Sequence, residues 1–208
     1  MTKTRDEVEL QNTLLTSPEN RLVWGASLRK DWVRAPNQFL SEQTVHESTL
    51  FGHDEWRITP KLILNGGAML QNSGLGQQST SPRLALNYHV AEKQTLRLGV
   101  SRAYRNPSMY EERGNYHFQL PGIGPVVFYQ ASGGLQPENI LSREIGYIGE
   151  FPGRGLTIDA RLYHDQLSKM IYVTNPPFPP KDFVNSFDAQ HNGLEITRSE
   201  ERRVGKEC

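Results

Sequence analysis

Arg83-Leu-Ala-Leu-Asn-Tyr-His-Val90, then Ala91-Glu-Lys-Gln94, then Thr95-Leu-Arg-Leu-Gly-Val-Ser101 is the stretch that decides the fold. Leu84, Leu86, Tyr88 and Val90 alternate with Arg83, Ala85, Asn87 and His89. Beyond the break, Leu96, Leu98 and Val100 alternate with Thr95, Arg97, Gly99 and Ser101. A period of two sends successive side chains to opposite faces, so each run is a strand with one apolar and one polar face. A break this short joins antiparallel neighbours, because a parallel pair needs a long crossover. More than thirty residues then pass before alternation resumes.

The pattern extends in both directions. Asp6–Thr16 carries Val8, Leu10 and Leu14 on one parity and reads as a strand or a helix. Ser17-Pro-Glu-Asn20 turns it into a clearer strand, in which Leu22, Trp24, Ala26 and Leu28 alternate with Arg21, Gly25, Ser27 and Arg29. Ala35–Gln43 is a loop, Thr44–Thr59 a strand, Pro60-Lys61 a minimal turn, Leu62–Gln71 a strand and Asn72–Thr80 a polar loop. After the opening hairpin, Arg105–Gln136 contains Pro107, Pro121 and Pro125 and reads as a long irregular insertion. Strands Asn139–Phe151 and Leu156–Tyr172 flank the turn Pro152-Gly-Arg-Gly155. Residues 173–187, with the cluster Pro176–Pro180, form another long loop before a strand begins at Asp188–Thr197.

Short links at 17–20, 60–61, 91–94 and 152–155 thus alternate with long ones at 35–43, 72–80, 105–136 and 173–187. That rhythm predicts an all-β, antiparallel up-and-down transmembrane β-barrel wall of about nine strands, with tight turns at one end and loops at the other. Arg, Asp and Glu on the polar face suit a wet lumen better than the dry core of a sandwich. Trp32 stands near a strand end, where barrels place an aromatic girdle.

Composition agrees with this without demanding it. A mean hydropathy of −0.60 looks soluble, but only alternate residues of a barrel meet lipid. No run approaches the roughly 18 apolar residues of a spanning helix. A net charge of zero and the absence of a basic stripe argue against a nucleic-acid partner. Met1-Thr-Lys-Thr-Arg-Asp-Glu has no apolar signal segment, so for an exported barrel a signal peptide is expected upstream. The last eleven residues, Arg198–Cys208, drop the alternation for charge and resemble a translated sequencing-library adapter. They are set apart as a non-native tail from a barrel portion over residues 1–197, and Cys208, the single cysteine, then carries no redox or catalytic meaning.

Four short motifs follow in order: Tyr104-Arg-Asn-Pro-Ser-Met-Tyr-Glu111, Leu135-Gln-Pro-Glu138, Glu144-Ile-Gly146 and Asn192-Gly-Leu-Glu195. Over residues 5–197 the series resembles the barrel of TonB-dependent outer-membrane receptors, and Pro107, Glu111, Pro137, Glu138, Glu144, Gly146, Gly193 and Glu195 are its family-motif positions. The resemblance implies part of a plugged barrel of about 22 strands. It implies a receptor in the outer membrane of a Gram-negative bacterium that takes up a scarce metal chelate, a ferric siderophore above all, with haem, cobalamin and glycans as variants. Outer-membrane lipid would surround it, the TonB complex would energise it, and the TonB-contacting segment and plug domain would lie outside this sequence. No cofactor is implied. Without the remaining strands both sheet edges would be open, and closure of this stretch alone is not expected.

Arginine suits carboxylate or catecholate oxygens, and tyrosine offers area with a hydrogen-bonding tip. The candidate ligand contacts are therefore Arg105, Tyr110, Arg113, Tyr116, His117, Phe118 and Tyr129 of the long insertion. Two other outcomes stand beside contact. Arg105, Pro107 and Glu111 would shape the exit from the strand through an ion pair, and the aromatics would pack the loop on itself or its neighbours. Glu138, Glu144 and Glu195 would point into the lumen or cap strand ends. The six histidines (46, 53, 89, 117, 164 and 191) show no ligand spacing, and no nucleophile elbow or phosphate loop is present, so neither a metal centre nor an enzyme is expected. The alternatives are a soluble carbohydrate-binding β-sandwich, which needs a dry apolar core, and a barrel enzyme, which needs a catalytic constellation.

Overall fold

The computed structural model describes residues 1–200. Nine strands form one antiparallel sheet: β1 (Thr2–Ser17), β2 (Asn20–Arg34), β3 (Gln43–Thr59), β4 (Leu62–Asn72), β5 (Gln78–Ala91), β6 (Gln94–Arg105), β9 (Glu138–Phe151), β10 (Leu156–Val173) and β11 (Phe183–Glu200). Each strand pairs with its sequence neighbour, β6 joining β9 across the insertion. Sequential pairing over nine strands is an up-and-down wall with no Greek-key crossing.

Register carries the alternation across the whole sheet. Trp56, Leu64, Leu86, Leu98, Ile145, Leu162 and Leu194 stand opposite one another in turn over seven strands. One residue away, on the other face, run Glu55, Asn65, Ala85, Gly99, Glu144, Tyr163 and Gly193. The apolar face is open: Leu98 is 49%, Leu162 56% and Leu194 64% exposed. Among the described residues the buried apolar side chains are Ala35, Phe39, Val45 and Leu135, far too few for a sandwich core. A sheet that exposes aligned rows of leucine is stable only where something apolar covers them, and lipid does so in a transmembrane barrel.

On the apolar face β2, β6 and β10 turn polar at a similar distance from their short turns. Leu22, Trp24, Ala26 and Leu28 give way to Lys30; Leu96, Leu98 and Val100 to Arg102; Ile158, Ala160 and Leu162 to His164. The apolar run covers about eight residues, or about 22 Å of membrane depth at a tilt near 35°. Asp54 interrupts the belt, and Asn20 Nδ2 donates to both of its carboxylate oxygens at 2.9 Å. The polar face is laced with ion pairs: Arg29 to Asp31 and Glu47, Arg97 to Asp159, and Arg161 to Glu144 and Glu195.

Three of the short turns are built alike. Pro18-Glu19, Pro60-Lys61 and Glu92-Lys93 each occupy a two-residue tip, preceded by a register shift that leaves Thr16, Ile58 or Val90 as the extra residue. Each tip is also fastened to the next hairpin: Arg57 N donates to Glu19 O at 2.7 Å, His89 N to Lys61 O at 2.8 Å and Glu150 N to Lys93 O at 2.9 Å.

Several expectations need correction. Arg105–Gln136 is not irregular. It contains a short helix α1 (Met109–Arg113) and a hairpin of β7 (Asn115–Leu120) and β8 (Gly124–Gln130). Its tip needs Gly122 and Gly124, at φ +82° and +99°, where a side chain would be strained. Asp6–Thr16 is strand throughout, and β11 begins at Phe183, before the expected Asp188, so the last long loop is shorter. Arg198, Ser199 and Glu200 do not leave the strand pattern but continue β11 opposite Ile158, Thr157 and Leu156. The rest of the expected tail, with Cys208, lies outside the described residues.

Candidate ligand-binding site

Where β6 leaves the sheet, its last residue, Arg105, stands opposite Glu138, the first residue of β9. The guanidinium donates through Nε to Glu138 at 2.5 Å and through Nη1 and Nη2 to the two oxygens of Glu111 at 2.9 and 3.0 Å. Glu111 is also half of a capping box. Ser108 N donates to its carboxylate at 2.7 Å, and Glu111 N donates to Ser108 Oγ at 3.2 Å. Burial raises the Glu111 pKa, but hydrogen bonds from Arg105 and Ser108 outweigh it and hold the carboxyl below its ordinary range. Glu138 accepts a further bond from Ile171 N, on β10, at 2.5 Å. Pro107 is buried beside this knot, and Pro137 leads the chain into Glu138. The motif residues Arg105, Pro107, Glu111, Pro137 and Glu138 thus meet at one place, at the two ends of the insertion.

The neighbouring Glu112 carries a second knot. It is 8% exposed. Its carboxylate accepts from Gln77 Nε2 at 2.5 Å, Gly134 N at 3.1 Å and Leu135 N at 3.2 Å. One side chain therefore ties α1 to the 73–77 loop and to the return of the insertion. Nothing in the sequence marked it as a buried anchor, since burial is decided by loops that meet only in the fold.

The β7–β8 hairpin is fastened on both edges. Asn115 N and His117 N donate to Gln38 O and Asn37 O at 2.7 and 3.1 Å. On the other edge Gln130 N donates to Lys181 O, and Lys181 N to Phe128 O, both at 2.9 Å. Aromatic rings fill the space between. Tyr110 packs edge-on against Phe39, Tyr129 and Phe183, with centroids 6.1, 6.4 and 5.8 Å away, and Tyr129 stacks on Phe183 at 5.9 Å. Burial, then the nearby Tyr129 and Tyr116, raise the Tyr110 pKa. Tyr116 reaches Phe118 and Phe128, and Lys181 Nζ lies 5.4 Å from the Phe128 ring centroid. Arg113 is exposed and donates to Gln43 Oε1 at 3.3 Å, while His117 Nδ1 is 3.1 Å from Asn115 O. Phe39, Phe128 and Phe183 were missed by sequence reasoning; two of them lie outside the insertion, and only the meeting of loops brings them in.

The remaining motif positions stay in the wall. Arg161 sits between Glu144 at 3.5 Å and Glu195 at 2.9 Å. Arg97 crosses Gly146, where a Cβ would lie 3.1 Å from its Nε, to reach Asp159 at 2.8 Å. The Tyr163 ring lies over Gly193 in the same way, with Arg161 5.1 Å from its centroid. These glycines make room for long polar-face side chains that lie flat across the strands.

An apolar outer belt, an ion-paired inner face and folded loops knitted together at one end define the wall of a transmembrane β-barrel with a structured loop cap. The family profile of the TonB-dependent receptor-like β-barrel matches residues 3–200. The chain belongs to that family. The ferrienterobactin receptor of Escherichia coli K12 is 26% identical over 103 residues, 47% of this chain and 14% of that receptor. The ferric enterobactin receptor of Pseudomonas aeruginosa matches to the same extent. The siderophore receptor PirA from Pseudomonas aeruginosa superposes with a TM-score of 0.75 at 21% identity, over 93% of this chain and 36% of that one. The FrpB iron transporter from Neisseria meningitidis superposes at 0.69 with 13% identity, over 96% and 34%. At these identities the structural likeness is one of fold, and the chain spans about a third of the length of those structures.

Proposed function

We propose that this chain is the wall and part of the loop cap of a Gram-negative outer-membrane receptor that imports a ferric siderophore, energised by TonB through a region outside this sequence, and that it is not an enzyme. The observation that carries this reading is the cap. Three loops are tied by main-chain hydrogen bonds into one body that carries Tyr110, Tyr116 and Tyr129 together with the exposed Arg113. The two curated relatives are named for ferric enterobactin. A ferric catecholate is an anionic complex with aromatic faces, which arginine and stacked tyrosines suit. Arg113, Tyr116, His117 and Phe118 are the proposed contacts, with Tyr110 and Tyr129 as the aromatic floor. Arg105, spent on two carboxylates, acts by positioning α1. Titration of the full-length protein with ferric enterobactin, haem and cobalamin, followed by fluorescence quenching, tests this. Sub-micromolar binding of the ferric catecholate alone is expected, and binding of haem or cobalamin in its place would refute it.

A further inference from the structure

Between β5 and β6 the wall is parted at its loop end. The ladder joining the two strands ends at Arg83 opposite Ser101. Beyond that pair residues 78–82 stay in register with β4, and residues 102–105 with β9. Pro82 has no N–H to offer a neighbour. Two strand edges therefore face each other without pairing. The bonds across the top of the gap are between side chains: Asn106 Nδ2 donates to Gln71 Oε1 at 3.1 Å, and Gln77 Nε2 donates to Glu112.

Polar atoms are left over at the gap. Among the described residues Ser79 Oγ, Ser81 Oγ and Asn106 Oδ1 are buried and have no hydrogen-bond partner, and Ser79 is only 7% exposed. Register places Ser79 and Ser81 on the polar face, with Arg83 and Ala85. The two sides of the gap differ in chemistry. On the polar side a recess of about 480 Å³ carries Ser81, Arg83, Ser101, Ala103 and Ser142. On the apolar side a groove of about 290 Å³ runs along Pro82, Leu84, Val100 and Leu141. The two cavities share residues 82–84 and 100–102, the stretches where the strands part.

We propose that the gap is a peptide-binding seam, in which an extended segment of about five residues adds as a strand between β5 and β6. The main chain of such a segment brings donors and acceptors in the plane of the sheet, which both open edges lack. Its side chains alternate, so one set meets the apolar groove and the other the small, hydroxyl-bearing recess. An acyl chain would match the groove alone and leave the edges unmet; water would match the edges but not the groove. The occupant is therefore a peptide that alternates apolar with small hydroxyl-bearing residues. Because β5 and β6 run in opposite directions, it lies parallel to one and antiparallel to the other. Strands pair about 4.8 Å apart, so insertion spreads β5 and β6 to about 9.6 Å and breaks the Asn106–Gln71 bond. This binding function stands beside the import of a chelate and does not depend on it.

Hydrogen–deuterium exchange of the full-length protein in detergent tests it, with a capped peptide in which valine and serine alternate between terminal glutamates as probe. Saturating peptide should slow amides within 79–81 and 102–105 by about tenfold and leave β1–β3 unchanged. The same peptide N-methylated at every second residue keeps its side chains but loses donors, and should bind about tenfold more weakly. P82V supplies the missing N–H, lets the ladder extend, and should weaken peptide binding about tenfold. Heat-modifiable migration on gels shows that P82V is folded, and the N-methylated comparison needs no variant. Equal protection by the N-methylated peptide means partition of apolar side chains and overturns the proposal. Unslowed amides at 79–81 and 102–105 under millimolar peptide mean a seam filled by water alone and overturn it too, as does equal binding by parent and P82V.

Discussion

Replacing Glu112 by alanine should release the loop cap without unfolding the wall. The carboxylate accepts from two main-chain amides, Gly134 N and Leu135 N, and from the Gln77 amide. Leu135 is 6% and Gln77 8% exposed, so water does not readily replace the lost acceptor. Leaving a buried donor unsatisfied costs about 1–3 kcal/mol, and the two buried donors, Leu135 N and a Gln77 Nε2 proton, at about 1.5 kcal/mol each give about 3 kcal/mol. At about 1.4 kcal/mol per decade this is roughly a 150-fold rise in local opening. Hydrogen–deuterium exchange of the full-length protein reads it directly: the amides of Gly134 and Leu135 and the 73–77 loop should exchange faster by about that factor, while β9 and β10 keep their protection. E112Q retains one acceptor oxygen but turns an amide group toward donors, and should give about a tenfold rise. Unchanged exchange at Gly134 and Leu135 in E112A would refute the role assigned to the carboxylate, and a uniform rise over the whole sheet would refute its local character.

R105A leaves Glu111 and Glu138 without their partner and should loosen α1 by about 1–3 kcal/mol, the exposure of the guanidinium moderating the loss; protease cleavage between residues 106 and 114 checks it. Because the Glu111 carboxyl is held below its ordinary range, its contribution is complete above the unfolded value of about 4.3 and is lost as pH falls through the lower folded value, so the same cleavage should accelerate in acid in the parent and change less with pH in R105A. L98R places a charge in the middle of the belt and should cost about 2–4 kcal/mol of folding into lipid vesicles, whereas S101R, three residues on but on the polar face, should cost well under half of that. G193A puts a methyl where the Tyr163 ring lies and should lower stability by about 1–3 kcal/mol, measured as the midpoint of heat-modifiable migration, with G193A/Y163A recovering part of the loss.

How much of this was legible in the chain follows from the range of the forces involved. The strands of the wall are written in a two-residue period, because each residue answers to one of two solvents, lipid or lumen, whatever its partner is. Leu84 through Val100 declare their face unaided, and their neighbours in the register agree. The cap obeys no such rule. Asn115-Tyr-His-Phe118 and Val126-Val-Phe-Tyr129 are β-prone, but prolines and glycines around them argued for coil, and β7 and β8 are sustained by carbonyls of Asn37, Gln38 and Lys181 that are far away in sequence. Glu111 was legible as a motif position expected to pair with Arg105, whereas its capping of Ser108 came only with the fold. Glu112 was not, since its partners come from two segments distant from it in sequence. Phe39 and Phe183 were hidden for the same reason, and the seam between β5 and β6 is visible only once the register shows where their ladder ends.

The turn staples show how local sequence sets a global dimension of the barrel. Each two-residue tip offers one carbonyl, and the main-chain N–H it accepts from the next hairpin fixes how far that hairpin is displaced. The last regular pairs before the three similar turns, Leu15–Arg21, Arg57–Ile63 and His89–Thr95, lie two residues further along at each step when followed through the register. Two residues at about 3.3 Å, over two strands about 4.8 Å apart, give a slope of about 35° between strand and barrel axis. That value lies at the lower edge of the range transmembrane barrels adopt, roughly 35–45°. The tilt therefore arises where the chain turns, not within the apolar belt, whose residues would accept any register that keeps their parity. The same displacement raises each successive loop relative to its neighbour's row, which brings the 35–42, 73–77 and 174–182 segments to the level where α1 and the β7–β8 hairpin can bond to all three. A cap stapled from three sides is thus a consequence of the stagger, and a turn altered at Pro18-Glu19 or Pro60-Lys61 would act on the loop end through the slope of the wall between them.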